Sequence, residues 1–484
     1  MYEKKTLSLL VTMCLVLALL VPNGVSALSP SSAQALSYVK IEGGLYYTVA
    51  LRNDGTVWQW GRNLLGELGV NEKIRYRRTE APIRAFGLSE MTDISVAEER
   101  YAGHNLAVKA DGTVWQWGSA QSSDDYKTHS MRPRQIEGMS DAVAVSAGAY
   151  FGIAIRKDGT VWSWERYVNS QQQAIPRKPV AVQGLNDVVQ ISAGGGDGRA
   201  YAVKQDGSVW TWTEHSISTY VKVTEQTVPV KLKGLSNIRS VSVSGGSLLA
   251  LDRQGKVWTV DEKGKVAAVH PELKIKEVRG HIGAILLLTT AGDVYGYGHT
   301  VNGKQGKVNG LPKIVAIGAG TYHNLAISTD GKAWGWGGDK YMELGAPATS
   351  YGNMVYRPIQ ANDEVDVMLN GESLPMSYTA ILSTHTVQVP MKELVNAIGA
   401  KLQVGKDETG APLYKISYEG YQVSFQLGQN KAWVGTKAIE LADQVEFHSG
   451  AITVPHTLMT SLGFTANWDP LTRTVSLSKQ SEQL

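Results

Sequence analysis

A short phrase, Asp-Gly-Thr-Val-Trp-x-Trp, recurs along this chain of 484 residues and limits its possible folds more than any other feature. Its clearest copies are "RNDGTVWQWGR" from Arg52, "KADGTVWQWGS" from Lys109, "RKDGTVWSWER" from Arg156, "KQDGSVWTWTE" from Lys204 and "STDGKAWGWGG" from Ser328. Alignment on the turn glycine gives seven units spaced by 37 to 57 residues: Gly55, Gly112, Gly159, Gly207, Gly255, Gly292 and Gly331. Repeats of this length are typical of propeller blades or helical arrays.

The pattern inside a unit favours strands. Each unit has an apolar run ending in glycine, a second apolar run, the Asp-Gly turn and then Val-Trp-x-Trp, without helical periodicity. Asp-Gly between alternating apolar runs predicts a hairpin with a type I′ turn, in which both central residues have positive φ. The links between units, "APIRAFGL", "RPRQIEGM", "KPVAVQGL" and "VPVKLKGL", supply a fourth strand.

Four strands in seven units predict a mainly β fold: a seven-bladed β-propeller over residues 36–361, followed by a small α+β domain. The first unit begins at "YVKIEGG" with no link strand before it, whereas "YRPIQA" at 356–361 is left over after the last unit. We therefore expect this C-terminal strand to complete the first blade and close the ring.

The repeated tryptophans predict a packed core. Eleven of the thirteen tryptophans lie in the repeats, in pairs such as Trp58 and Trp60. Residues at i and i+2 project from one face of a strand, and in a propeller that face meets the next blade. The alternative, a set of sugar-stacking platforms, would need the rings on loops. Each ring can bury about 150–250 Å², so the phrase is interpreted as architecture.

The repeat resembles that of the regulator of chromosome condensation family. The resemblance covers about residues 36–361 and is carried by "VSAGAYFGIAIRKDGTVWSW", "IGAGTYHNLAISTDGKAWGWG" and "GRNLLGELG". It implies a seven-bladed propeller. The family's named member is a nuclear exchange factor for a small GTPase, a role that we do not expect in an exported chain. Other secreted propellers that resemble this one inhibit β-lactamases, and one fold hosts many functions.

Residues 362–480 change to a different pattern. "VDVMLNGESLP" predicts two strands around an Asn-Gly turn, and "VQVPMKELVNAIGAKLQV" predicts strand, short helix and strand, a unit that "ITVPHTLMTSLGFTANWD" repeats. The sequences "LNG", "VPMKELVNAIGAKL" and "VPHTLMTSLGF" with "WDPLTRTVSL" resemble the copper amine oxidase N-terminal-like domain. The resemblance implies an appended stalk without the copper ligands, so no copper is expected. Residues 481–484 form a tail.

The N-terminus predicts export. "MYEKK" precedes the apolar run "LSLLVTMCLVLALLV", and "VSA" at 25–27 fits a signal-peptidase site, so residues 1–27 are interpreted as a signal peptide with alternative cleavage after residue 35. The run is short for a spanning helix, and no stable membrane insertion is expected after its removal. The only cysteine, Cys14, lies inside it, so disulfides and thiolate sites are excluded from the mature chain. We expect a secreted bacterial protein, with cell-wall association as an option.

Composition argues against several chemistries. The net charge is +3 with acids and bases interspersed, which predicts no nucleic-acid partner. The ten histidines show no metal-binding spacing, so neither a metal nor another cofactor is expected. His104 and His323 occupy equivalent repeat positions, which predicts packing against a neighbouring loop. No G-x-S-x-G motif is present, and the innermost acids, Glu42, Glu98 and Glu99, come from only two units. We predict that the chain is not an enzyme.

Binding is the better prediction. The segments after each Val-Trp-x-Trp vary most, reach one rim and carry Arg75, Tyr76, Arg77, Tyr126, Tyr167, Tyr220, Tyr341 and Tyr351. Tyrosine and arginine are favoured at interfaces. The turns after the first apolar runs, assigned to the opposite rim, compete for this role through Tyr46, Tyr47, Tyr101, Tyr150, Phe151 and Tyr322.

The sequence therefore predicts a secreted, non-catalytic binding or adaptor protein. Its partner would be an extracellular protein or a cell-wall polymer, with the C-terminal module as stalk or wall-associating element. Two alternatives stay open: an inhibitor of a secreted enzyme such as a β-lactamase, and a polysaccharide-active propeller enzyme. The ligand and the oligomeric state are not specified by the sequence.

Overall fold

The structure is a computed structural model. It describes residues 35–63, 66–69, 78–97, 104–118, 132–149, 151–168, 174–176, 178–194, 198–214, 216–218, 221–224, 227–244, 246–270, 272–281, 284–298, 305–346, 353–374, 376, 378, 380–383, 386–448 and 451–480. Everything below concerns the unit that spans residues 36–484. The predicted signal peptide lies outside the described residues.

Seven consecutive antiparallel sheets occupy the described chain from Tyr38 to Gln360, each built from one contiguous stretch. Their four main strands are, in sheet 1, Tyr38–Gly43, Tyr47–Arg52, Val57–Arg62 and Arg78–Arg84; in sheet 2, Met91–Val96, Asn105–Lys109, Val114–Trp117 and Arg134–Gln135; in sheet 3, Ala142–Ala147, Phe151–Arg156, Val161–Val168 and Val180–Ala181; in sheet 4, Val188–Ala193, Arg199–Lys204, Val209–Thr213 and Val230–Lys231; in sheet 5, Ile238–Ser244, Ser247–Asp252, Val257–Val260 and Val266–Val269; in sheet 6, Ile275–His281, Ala284–Thr289, Val294–Gly298 and Gly306–Lys307; in sheet 7, Ile314–Ala319, His323–Ser328, Ala333–Gly338 and Met354–Gln360. Ala174–Pro176 extends the third strand of sheet 3 as a hairpin, and Ser216–Ser218 pairs with Val221–Thr224.

The sheets form a closed ring. The first strand of every sheet contacts the first strands of both neighbouring sheets, and the first strand of sheet 7 contacts that of sheet 1. All the first strands therefore surround one axis, and the later strands of each sheet lie progressively farther from it. The predicted mainly β propeller architecture is confirmed.

The predicted closure by a shared strand is wrong. Met354–Gln360 pairs with Ala333–Gly338 inside sheet 7, and sheet 1 takes its fourth strand from Arg78–Arg84. Each link segment folds back on the strand that precedes it, because that strand is its nearest neighbour along the chain. No strand is then left over, and the ring closes by contact between complete sheets.

The turn geometry also differs from the prediction. In the Ala110–Gly112 turn of the second unit only Gly112 has positive φ, 83°, whereas Asp111 does not. Gly112 N donates to Lys109 O at 2.8 Å and Lys109 N donates to Thr113 O at 2.9 Å. This is a three-residue loop, a type I turn followed by a left-handed glycine, rather than type I′. Asp111 acts through its side chain, since its Oδ1 accepts from Thr113 N at 2.9 Å and from Thr113 Oγ1 at 2.6 Å.

The turn glycine also joins one sheet to the next. Gly112 O accepts the amide of Ala142, the first residue of sheet 3, at 3.0 Å. The same bond, which we call the turn latch, occurs between every sheet and its successor: Met91 to Gly55, Ala142 to Gly112, Val188 to Gly159, Ile238 to Gly207, Ile275 to Gly255, Ile314 to Gly292 and Tyr38 to Gly331. The last of these bonds spans the seam between sheets 7 and 1.

The tryptophans form the core, as predicted. The second tryptophan of a pair is buried between sheets; Trp117 packs with Leu68 and Ile83 of the preceding sheet-1 segment, and its Nε1 donates to Gln59 Oε1 at 2.9 Å. The first tryptophan is generally half-buried, and its indole N–H bonds locally, as Trp115 Nε1 does to Thr113 Oγ1 at 3.2 Å. The repeated phrase thus builds both the hairpin and the packing between sheets.

The C-terminal module contains three sheets and two short helices around its own core. The strands of the first sheet are Asp366–Leu369, Glu372–Ser373, Phe464–Asp469 and Thr474–Lys479; of the second, Ile381–Leu382, Val387–Pro390, Glu446–His448 and Ala451–Pro455; of the third, Lys401–Lys406, Pro412–Tyr418, Tyr421–Phe425, Lys431–Val434 and Lys437–Glu440. The α-helix Met391–Ala397 and the 3₁₀ helix His456–Leu462 each follow one of two paired strands, which matches the predicted internal repeat. No helix in the described part of the chain has the length and apolarity to span a membrane.

A buried ionic junction joins the module to sheets 7 and 1. Glu364, only 2% exposed, accepts from Tyr38 Oη at 3.0 Å and pairs with Arg52 at 3.3 Å and with Arg473 of the module at 2.9 Å. Burial, with the Glu364 carboxylate beside it, raises the pKa of the Tyr38 phenol well above its usual range. Two further ion pairs lie alongside, between Arg84 and Asp366 and between Lys332 and Asp363.

Candidate binding surface at the loop end

Strand direction defines two ends of the propeller. Because neighbouring strands are antiparallel, the turn after each first strand and the loop after each third strand lie at one end, which we call the loop end. The Asp-Gly turns and the links to the next sheet lie at the other, the turn end. The prediction of two opposing tyrosine rims is therefore wrong: Tyr46, after the first strand of sheet 1, contacts Tyr341, after the third strand of sheet 7, with ring centroids 4.9 Å apart.

The predicted rim residues have different fates. Arg75, Tyr76, Arg77, Tyr126, Tyr220 and Tyr351 lie outside the described residues, as do Tyr101 and Tyr150. Tyr167 lies in the hairpin extension of sheet 3, opposite Ile175, and its side chain is not described. Tyr47 and Phe151 are 1% and 0% exposed, so they belong to the core rather than to a rim. Among the eight residues first predicted to bind a partner, Tyr341 is the one whose side-chain contacts the structure describes.

Tyr341 belongs to a tyrosine cluster that we define as Tyr46, Tyr322 and Tyr341. The ring of Tyr46 stacks on that of Tyr322, with centroids 5.4 Å apart and planes 28° apart. The Arg62 guanidinium lies 5.1 Å from the Tyr46 centroid and the Lys340 ammonium 5.3 Å from that of Tyr341. Partial burial and the neighbouring Tyr322 raise the pKa of Tyr46, which keeps its hydroxyl protonated. Tyr322 is 41% exposed, so the cluster offers aromatic surface at the seam of sheets 7 and 1.

Hydrogen bonds hold the cluster from below. Tyr341 N donates to Glu343 Oε2 at 2.7 Å, and the Glu343 carbonyl accepts from Trp60 Nε1 and from Thr48 Oγ1, both at 2.8 Å. These two donors belong to sheet 1, so the bonds cross the seam. A surface whose loops are fixed in this way loses little conformational entropy when it binds.

Two copies of one loop motif differ beneath the cluster. In "GRNLLGELG" of unit 1, Arg62 Nε donates to Glu67 Oε1 at 2.9 Å. In "GGDKYMELG" of unit 7, the arginine position holds Gly338, where a Cβ would lie only 3.0 Å from that of Tyr322. Glu343 Oε1 has no hydrogen-bond partner among the described atoms, and burial raises the pKa of this carboxyl to about 7.

A cavity of about 940 Å³ runs between the first strands, and charged side chains line one part of its wall. Glu42 faces it as predicted, whereas Glu98 and Glu99 lie outside the described residues. Sequence reasoning missed Asp93 and Glu277. Both occupy the third position of a first strand, and alternation along those strands could have identified them.

The channel carboxylates are engaged in structural contacts. Lys40 Nζ lies 2.6 Å from Asp93 Oδ1, and Arg279 lies 3.5 Å from Glu42 and 3.1 Å from Glu277. Burial acts to lower the pKa of Lys40, but Asp93 and Glu42 outweigh it and raise this pKa overall, so the pairs stay ionised. The first pair joins the first strands of sheets 1 and 2, and Arg279 of sheet 6 reaches past sheet 7 to Glu42 of sheet 1, whereas the contact with Glu277 lies within one strand.

Backbone amides also donate to two carboxylates of this wall. Asp93 Oδ2 accepts from Val145 N at 3.0 Å, and Glu277 Oε2 accepts from Ile317 N at 3.3 Å, each amide belonging to the next sheet. A channel hydrolase would need a pair of carboxylates available to substrate. The observed bonds instead assign these acids to holding the ring.

The two equivalent histidines contact the next sheet: His104 at a loop, as predicted, and His323 at a strand. His104 Nδ1 lies 3.0 Å from Gly148 O of sheet 3, and His323 Nε2 lies 3.0 Å from Thr48 Oγ1 of sheet 1. Burial lowers the pKa of His323 to about 3, so its imidazole is neutral. Within the described ranges no group of three His, Cys, Asp or Glu side chains is arranged to hold a metal ion.

Family models match both parts of the chain. The regulator of chromosome condensation (RCC1) repeat matches residues 142–164 and 314–341, which are the first three strands of sheets 3 and 7 with the loop up to Tyr341. The copper amine oxidase N-terminal domain matches residues 368–481. The chain carries RCC1 repeats and a copper amine oxidase N-terminal domain. The tyrosine cluster therefore lies on an RCC1-type propeller.

Similar proteins share the RCC1 part. Human HERC2, an E3 ubiquitin-protein ligase, is 25% identical in an alignment of 365 positions that covers 69% of this chain and 7% of HERC2. Human WBSCR16 has a TM-score of 0.52 at 16% identity over 64% of this chain and 96% of that one. Yeast RCC1 (Prp20), solved with Kap60, gives 0.50 at 18% identity over 71% and 91%. These structures show the fold. The chain spans only 7% of HERC2, and the ligase activity is a property of HERC2.

Proposed function

We propose that this chain is an exported, non-catalytic binding protein whose RCC1 propeller holds a protein partner at the tyrosine cluster. The observation that carries the proposal is the cluster itself: Tyr46, Tyr322 and Tyr341 are brought together from sheets 1 and 7 and flanked by Arg62 and Lys340. Tyrosine supplies large contact area at low entropic cost, and its hydroxyl orients a polar partner group.

Three further observations support a binding role. The loop under the cluster is fixed by Glu343 across the seam, so the surface exists before a partner arrives. Two of the channel acids, Asp93 and Glu42, form ion pairs that join first strands of different sheets. Yeast RCC1, a protein that shares this fold, was solved bound to Kap60. The N-terminal apolar run supports export.

The C-terminal module is the second part of the proposed adaptor. Glu364 fixes the module at the turn end, so the tyrosine cluster at the loop end stays uncovered by it. We propose that the module serves as the stalk or wall-associating element while the propeller presents its loop end.

Site-specific photo-crosslinking tests the function. A photo-reactive phenylalanine analogue is placed at Tyr341 or, as the matched control, at Tyr356, a 47%-exposed tyrosine of sheet 7 outside the cluster. The secreted fraction and cell-wall sacculi of the source organism serve as prey. We expect a discrete protein adduct from position 341 alone, competed by unmodified chain and weakened about tenfold by Tyr322→Ala.

Two outcomes would contradict the proposal. Equal adducts from both positions would show contact without a defined site. Adducts that survive competition by unmodified chain would show chemical trapping rather than binding.

A further inference from the structure

We infer that the partner presents an acidic protein segment to the tyrosine cluster. The inference rests on the proposed function and adds the chemical class of the partner. It follows from how the structure distributes charge around the seam of sheets 7 and 1.

Two exposed basic side chains flank the cluster. Arg78 begins the fourth strand of sheet 1, and its Nη1 donates to the carbonyl oxygen of Lys340 at 3.3 Å, which brings the two residues together across the seam. The ammonium of Lys340 lies 5.3 Å from the Tyr341 ring centroid. Neither cation makes an ion pair with a carboxylate within the described ranges.

The acidic side chains of the same loops are buried. Glu67, Asp339 and Glu343 are the acidic residues of segments 61–69 and 337–345, and they are 0%, 6% and 0% exposed. Glu67 is neutralised by Arg62. Because burial raises the pKa of Glu343 to about 7, this carboxyl carries its proton below that pH and does not offset Arg78 and Lys340. Among the residues that the structure describes, the exposed charge next to the tyrosines is therefore positive.

This combination fits carboxylates on a polypeptide. A guanidinium can bind a carboxylate with two parallel hydrogen bonds, and tyrosine hydroxyls can donate to carboxylate oxygens. The three rings also need an apolar or aromatic group to cover them. A peptide carries such side chains between its acids, whereas an anionic wall polymer built of phosphates and sugars offers fewer apolar groups.

Fluorescence anisotropy with labelled peptides tests the inference on the full mature chain. The probes are a glutamate-rich peptide with interspersed leucine and tyrosine, the same peptide with glutamine for glutamate, and inorganic polyphosphate as a competitor. The variants are Arg78→Glu with Lys340→Glu, the milder pair Arg78→Gln with Lys340→Gln, and Lys233→Glu as a control at an exposed lysine of the link after sheet 4.

We expect the glutamate peptide to bind more tightly than its glutamine counterpart, with affinity that falls as salt rises. Charge reversal at Arg78 and Lys340 should weaken binding by about tenfold or more, the glutamine pair by less, and Lys233→Glu should leave it unchanged. Thermal unfolding of each variant checks that the chain is folded.

The outcomes that contradict the acidic-segment inference differ from those that contradict the proposed function. Equal binding of both peptides, or an equal loss in Lys233→Glu, overturns the acidic-segment inference. Polyphosphate that displaces the glutamate peptide completely at a concentration below that peptide's own Kd reassigns the surface to an anionic polymer. A specific protein adduct at Tyr341 without acidic-peptide binding leaves the proposed function standing and the inference refuted.

Discussion

Glu67 and Glu343 occupy the same place in two copies of one loop motif, and their surroundings give them different chemistry. Glu67 meets Arg62, whereas the unit of Glu343 has Gly338 in place of that arginine, and Glu343 keeps one oxygen without a partner among the described atoms. A lone buried carboxyl resists ionisation because its charge is poorly solvated. The difference cannot be read from either residue alone; it depends on Gly338, five positions earlier.

Replacing this acid should change the pH dependence of stability. The pKa of the Glu343 carboxyl is about 7 in the folded chain, above its ordinary value of 4.5. Its contribution to stability is therefore fully present below pH 4.5 and is lost as the pH rises through 7. We expect Glu343→Gln to unfold like the parent chain in acid and to be the more stable above pH 7, by up to about 3 kcal/mol. Thermal unfolding across pH measures this difference.

Glu67→Gln is the matched comparison for that experiment. It removes the partner of buried Arg62, so it should destabilise throughout the neutral range instead of stabilising above pH 7. Parallel pH profiles for the two variants would contradict the assigned difference.

The hairpin with its turn latch is the repeating element of the fold. The left-handed glycine serves two needs at once: it completes the three-residue loop, and its carbonyl accepts the first amide of the next sheet. At Gly112 a Cβ would lie 2.7 Å from Asp141 N, so the next sheet approaches too closely for any side chain. The glycine of the phrase is thus an inter-sheet contact as well as a turn residue.

Alanine substitution separates these two needs. Gly112→Ala combines positive-φ strain with the backbone clash, and we expect it to cost roughly 3 kcal/mol or more. Gly184 has φ of 82° with nothing near its Cβ position, so Gly184→Ala carries the strain alone, about 1 kcal/mol. Chemical denaturation of the two variants gives the comparison, and equal losses would refute the role of the close approach.

The limits of sequence reasoning follow the range of each interaction. Hairpins, paired tryptophans and the packing of His104 could be predicted, because period-two patterning and repeat equivalence are local or self-consistent along the chain. The type of turn could not, since Asp-Gly fits both geometries and only the flanking hydrogen bonds decide. The meeting of Tyr46 with Tyr341 depends on strand direction in two sheets far apart in sequence. An assignment of the first turns to the opposite rim therefore misses this contact.

At the scale of the whole molecule, the junction at Glu364 joins ring and module. The chain leaves sheet 7 at Gln360, and within four residues Glu364 reaches Tyr38 and Arg52 of sheet 1, while Arg473 arrives from the module. The same carboxylate thus contacts the start of the ring and the second domain. Buried charges that meet several partners tolerate the loss of one poorly.

Neutralising this carboxylate should be costly. We expect Glu364→Gln to destabilise the chain by about 3 kcal/mol, because buried Arg52 and partly buried Arg473 lose a shared counter-ion. Glu419→Gln removes an ion pair with Lys479 in which both side chains are about half exposed, and it should cost less than about 1 kcal/mol. Denaturant unfolding gives both values, and similar losses would show that the junction holds little of the fold together.

Closure without a shared strand has a consequence for how such a chain can change over generations. Each sheet takes its strands from one contiguous stretch and offers its successor the same glycine carbonyl. A duplication or deletion of one repeat in the gene therefore adds or removes a complete sheet, with every strand paired and every latch intact. A single genetic event can therefore produce a ring with a different number of sheets. A binding surface made of loops from two adjacent units is kept as long as those two units stay together.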